Sequence, residues 1–234
     1  MTNHPRMKVN KKESQNQNYD PNLKTLFRGK FHFMAFIFTI ILTVLFLLLS
    51  CFKKFDFFVL LYLIVQIIQF GISSLYHMSD VSPSTKHKLR ILDHMAIFLL
   101  ISGTQTAVLN TIPTKNPVQF SKVLLISWSL SAAGIVKLLV FTNLHNIFDL
   151  ICYMAHGLIV LPIIKSFEAF YTCDIVCLLL GGLFYLLGGV IYGLEKPNPI
   201  PRIFGFHEIF HIFTLMGNSC FGLCVLRAYL KLLY

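Results

Sequence analysis

The chain has 234 residues, of which 56% are hydrophobic and only 13% charged, with 20 Lys and Arg against 10 Asp and Glu. A mean hydropathy of +0.69 excludes an ordinary water-soluble fold and points to a polytopic membrane protein. The net charge of +10 calls for no nucleic-acid partner, because a basic tail beside an anionic leaflet gains about 1 kcal/mol per Lys or Arg near the surface.

Residues 1–30 are rich in Asn, Gln and Lys, lack apolar periodicity and read as a largely disordered basic tail. Because this polar stretch precedes the first apolar run, no cleaved targeting signal is expected. Runs free of Lys, Arg, Asp and Glu follow at 31–52, 57–76 and 94–114, each close to the roughly 20 residues that cross a bilayer. A fourth run, 120–141, carries Lys122 and Lys137 near enough to its ends to snorkel into the head groups. Runs at 147–164 with Pro162, at 175–194 with Gly189 and Gly193, and at 206–226 complete the set. The two glycines permit close helix approach. The expected architecture is an all-α, seven-helix transmembrane bundle over residues 31–234 in the cell membrane, with short connections making neighbours antiparallel.

The Lys and Arg residues set the expected orientation. With the tail inside, its own cations join Lys86, Lys88, Arg90, Lys137, Lys196 and Arg202 on one side and outnumber those on the other. The N-terminus is therefore expected in the cytoplasm and the C-terminus outside.

Chemistry concentrates at Phe206-His207-Glu208-Ile209-Phe210-His211. Four residues apart on a helix, His207 and His211 project from one face about 6 Å apart, a spacing that lets both reach one metal ion. Ionisable groups inside an apolar helix are costly unless something binds them. The seven-helix topology brings His77 to the inner end of the second span, Asp93 to the inner start of the third, and His207 and His211 to the inner start of the seventh. Three neutral imidazoles with an open fourth position are the usual arrangement of a catalytic zinc, whose bound water has a pKa of about 7. Asp93 is then placed to hydrogen-bond that water or take its proton, and Ser73, one turn before His77, to orient an imidazole or a substrate oxygen.

Plainer readings stand beside these. His77 alone is an ordinary interfacial residue. Asp93 could pair with Arg90 or favour a helix N-terminus, and Ser73 could bond back to its own helix. His156 falls mid-membrane, where it could meet a polar lipid group or pack as a satisfied histidine, while His4, His32, His87 and His145 look incidental. His207-Glu208-x-x-His211 is also the metalloprotease signature with Glu as general base, and Asp93 would then replace His77 as the third ligand. The cysteine pairs Cys173/Cys177 and Cys220/Cys224, at i, i+4 in apolar helices, read as small hydrophobes rather than metal ligands or disulfides.

Three stretches together resemble the hemolysin III branch of the progestin and adipoQ receptor superfamily. They are Ser73-x-x-x-His77; Leu92-Asp93-His94-x-Ala96-Ile97-Phe98-Leu99-Leu100-Ile101-x-Gly103-Thr104; and Pro197-Asn198-Pro199-x-Pro201-x-x-Phe204-Gly205-Phe206-His207-Glu208-Ile209-Phe210-His211. The resemblance runs over essentially everything after residue 25. It implies a seven-helix fold with a cytoplasmic N-terminus and a zinc ion near the inner leaflet, held by His77, His207 and His211, with Asp93 and Ser73 beside the ligands. It further implies kinship with alkaline ceramidases and adiponectin receptors, and a Glu208 that is no catalytic base. Two departures bear on the substrate: Gly103-Thr104-Gln105-Thr106-Ala107 stands where relatives often have Gly-Thr-Tyr-Thr-Pro, and Phe221 where they often have His.

The leading expectation is a zinc-dependent hydrolase of lipid amide bonds, acting on a ceramide-like or other sphingolipid-like substrate that enters from the membrane, with Asp93 handling protons. A receptor-like signalling protein with structural zinc, and a pore-forming cytolysin, are the alternatives.

Overall fold

In hydrocarbon every backbone N–H and C=O must find its partner within its own segment, so apolar runs of this length fold as helices. The computed structural model describes residues 24–52, 54–112, 115–141, 146–166 and 172–231. Residues 1–23 of the tail, with His4, and also Lys53, Thr114 and His145, lie outside the described residues, as do the side chains of Lys165 and Cys173.

The helices are α1 (Lys30–Phe52), α2 (Phe57–Met78), α3 (Pro83–Thr111), α4 (Pro117–Val140), α5 (Asn146–Leu158), α6 (Thr172–Leu194) and α7 (Phe206–Lys231). A 3-10 turn at Leu161–Ser166 continues α5 around Pro162, whose missing N–H cannot extend an α-helix. Among the described residues, 7 segments are long and apolar enough to cross a membrane, which makes the chain a multi-pass integral membrane protein.

Helix starts are set by capping residues. Asp56 accepts hydrogen bonds from the amides of Phe58 (2.8 Å) and Val59 (3.1 Å), Ser82 accepts from Thr85 with Pro83 following, and Asn116 accepts from Gln119 with Pro117 following. The Ser82-Pro83 start places the beginning of α3 well before residue 94, where the apolar run begins. Its early turns carry Lys86, Lys88 and Arg90, and Lys86 donates to the carbonyls of Tyr76 and Ser79, closing the α2–α3 connection.

Within the bundle α3 is the most enclosed span and α1 the least. The outer face of α1 presents Met34, Phe38, Ile41 and Leu48. Lipid tails are as apolar as leucine, so helix order depends on close packing and polar contacts rather than on apolar burial alone. Gly103 lets α3 press against α2: a Cβ there would lie 2.6 Å from a Val65 methyl. Gly189 and Gly193 likewise admit Leu150 and Met154 of α5.

Polar contacts complete the arrangement. Asn218 Nδ2 donates to Gln66 Oε1 (2.7 Å), and the Tyr62 hydroxyl donates to the Asn218 carbonyl (2.8 Å), joining α2 to α7. His156 Nε2 meets Ser127 Oγ at 2.9 Å, and Ser127 in turn meets Ser102. His156 is therefore a packed histidine joining α3, α4 and α5. Lys137 forms an ion pair with Asp149 of α5 rather than reaching for the head groups. An apolar cluster of Phe46, Leu63, Leu109, Phe120, Val225 and Tyr229 fills the end of the bundle away from the histidines.

Candidate metal centre

The connection from α6 to α7 fixes where α7 begins. Asn198 Oδ1 accepts a hydrogen bond from the Phe206 amide (3.1 Å), and Glu208 Oε2 accepts one from the Gly205 amide (2.8 Å). These satisfy two of the amides that a helix start leaves without partners. A Cβ at Gly205 would stand 2.7 Å from Asn198 Oδ1 and push that capping side chain aside. With its start pinned, α7 directs His207 and His211 toward the last turn of α2, which carries His77.

The three imidazoles converge. His77 Nε2 and His207 Nε2 are 3.1 Å apart, and one ring nitrogen from each of His77, His207 and His211 lies within 4.8 Å of the others. Two nitrogens bound to a tetrahedral zinc ion at its usual bond length would be about 3.3 Å apart. The His77–His207 pair already has that spacing, and the three donors together could hold a metal ion. All three rings are enclosed, His211 being 2% exposed, and among the described residues no hydrogen bond reaches His211 Nδ1. A buried polar atom without a partner is costly in an ordinary core.

Asp93 stands at the same depth, with Oδ2 3.9 Å from His77 Nε2, and Gln69 Nε2 is 3.4 Å from its other oxygen. It lies well inside α3 and is 6% exposed, so the helix N-terminus explanation does not apply. Ser73 does not bond back to its helix, as Ser74 does to the Gly71 carbonyl. Its hydroxyl instead meets His32 Nδ1 at 2.9 Å.

His32 is the residue that sequence reasoning passed over. Its ring is stacked on that of His211, with centroids 3.8 Å apart and planes 5° from parallel. Its position in the first turn of α1, at the same membrane depth as the triad, was the available signal.

Glu208 faces a different set of partners. It is 1% exposed and holds the Gly205 amide, the Thr25 hydroxyl and the Arg28 guanidinium. The segment just ahead of α1, taken from sequence as the end of the tail, is docked here. The amides of Leu26 and Phe27 donate to the carbonyls of Arg202 and Ile203, and Lys24 donates to the Met78 carbonyl. A carboxylate committed in this way is a structural clasp, which removes the role that the metalloprotease signature assigns to it.

The sequence model of the Haemolysin-III related family matches residues 22–221. A hemolysin-3 homolog of Bacillus subtilis (strain 168) is 34% identical over 171 residues, covering 70% of this chain and 76% of the relative. Hemolysin-3 of Bacillus cereus is 33% identical over 155 residues, covering 66% of this chain and 67% of the relative.

Proposed function

The chain belongs to the haemolysin-III related family, and on that premise we propose that it is a zinc-dependent hydrolase of lipid amide bonds, ceramide-like in class, with its site near the cytoplasmic face. The observation that carries this reading is the meeting of His77, His207 and His211 with the Asp93 carboxylate 3.9 Å from His77. Three imidazoles suit zinc by ligand type and number. When bound, zinc supplies Lewis acidity toward a carbonyl oxygen and acidifies a water.

The remaining chemistry belongs to the chain. Hydrolysis of an amide consumes one water and yields a carboxylic acid and an amine, so a proton must leave the water and one must reach the nitrogen. Asp93, held by Gln69, is the group that would carry it. The Lys and Arg bias supports a cytoplasmic tail side, and with it a site on the cytoplasmic side. Substrate enters in the plane of the membrane, where its acyl chain already lies.

The test compares purified wild type, His211→Ala and Asp93→Asn for zinc content and for fatty-acid release from ceramide-like amides. Zinc in wild type and Asp93→Asn but not in His211→Ala, with hydrolysis in wild type only, is the expected pattern. Zinc in wild type without hydrolysis in any form would assign the metal a structural role, as in a receptor-like protein. Vesicle leakage that persists in His211→Ala would favour a cytolysin.

A further inference from the structure

The triad leaves one question of geometry. A metal-bound imidazole is usually oriented by a hydrogen bond from its other ring nitrogen, yet among the described residues none reaches His211 Nδ1. Something else must fix how that ring is turned about its own axis.

His32 supplies the contact. It is 4% exposed and lies flat against His211 at 3.8 Å. Its own edges are held from both sides: Nδ1 lies 2.9 Å from Ser73 Oγ on α2, and Nε2 lies 3.5 Å from Thr214 Oγ1 on α7. Thr214 also donates to the His211 carbonyl at 2.8 Å, so ring, hydroxyl and backbone form one unit. Phe70 backs His32 at 5.2 Å. With both nitrogens engaged, and with its plane parallel to that of His211, His32 is not arranged as a fourth ligand.

We propose that His32 is a positioning residue for the metal centre: its stack on His211 and its contact with Ser73 tie α1 to both helices that carry the imidazoles and hold His211 in its ligating orientation. The inference rests on the reading of His77, His207 and His211 as a metal site.

The test measures zinc dissociation constants by chelator competition, and the visible d–d spectrum of the cobalt-loaded protein, for wild type, His32→Ala, His32→Phe and Phe46→Ala. Loss of an outer partner of a ligand commonly weakens metal binding about 10- to 100-fold, and His32→Ala is expected to fall in that range with an altered cobalt band. His32→Phe restores a flat ring, and with it affinity to within a few-fold of wild type. Phe46→Ala, on the same helix within the apolar cluster, lowers thermal stability without moving the cobalt band. Wild-type affinity and spectrum in His32→Ala would overturn the proposal, as would a His32→Phe no better than His32→Ala, or a Phe46→Ala band shifted as far. A wild type that takes up neither metal would overturn both this inference and the reading of the triad. Tight wild-type binding with an unaffected His32→Ala overturns this inference alone.

Discussion

Glu208 Oε1 lies 3.1 Å from Arg28 Nε, so the first turn of α7 is anchored to the segment that leads into α1. The same carboxylate caps the Gly205 amide and takes the Thr25 hydroxyl. It therefore couples the start of the histidine-bearing helix to a strap of chain that passes beside His77.

Replacing Glu208 by Gln separates the clasp from any role as a base. The amide oxygen can still cap Gly205, but the ion pair with Arg28 is lost, at a cost of about 1–3 kcal/mol. The expected result is a lower melting temperature and faster tryptic cleavage after Lys24 and Arg28, with zinc content unchanged. A stable Glu208→Gln protein with normal strap protection and hydrolysis lower by orders of magnitude would restore Glu208 as the base.

Gly29 sits where the strap turns into α1. Its φ of 82° is in the left-handed region that favours glycine, and a Cβ there would stand 2.7 Å from His77 Cβ. Gly29→Ala is expected to cost at least about 1–2 kcal/mol from the backbone alone. The clash must also displace His77 or the strap. Zinc binding should weaken along with stability, a pairing that chelator competition and thermal unfolding on the same sample would show. Loss of stability with unchanged zinc affinity would mean that the strap yields and His77 does not.

Mid-membrane, the Gln66–Asn218 hydrogen bond joins the two helices that carry the triad. A double-mutant cycle with Gln66→Ala and Asn218→Ala should give a coupling of about 0.6 kcal/mol, and no more than about 1.7, as for hydrogen bonds between other membrane helices. Strictly additive effects in reversible unfolding would show that the bond does not contribute to α2–α7 association.

These relationships show what the sequence made legible. All seven spans followed from hydropathy, because the bilayer demands long apolar helices and little else has that pattern. The early turns of α3 did not, since Lys86, Lys88 and Arg90 lower any hydropathy average. The Ser82-Pro83 cap was the local sign of the true start. Sequence suggests snorkelling for Lys137 because its partner Asp149 lies on the next helix, and pairing between helices leaves no trace in either segment alone.

The site was legible in the same partial way. His207 and His211 announced themselves by helical spacing, and His77 and Asp93 by topological depth. His32 had no partner at i+4 and stood alone in an apolar run, so it looked incidental until the stack with His211 was seen. Its start-of-helix position would have placed it at the same depth. The clasp at Glu208 was hidden because its partners, Thr25 and Arg28, lie in a stretch whose composition resembles a disordered tail.

The most direct test of the account is X-ray absorption at the zinc edge on the purified protein, with His77→Ala alongside. The account predicts one bound zinc with nitrogen and oxygen scatterers only, three of them imidazoles at about 2.0–2.1 Å, and loss of the metal in His77→Ala. Zinc bound through sulfur, or fully retained without the His77 ring, would contradict it.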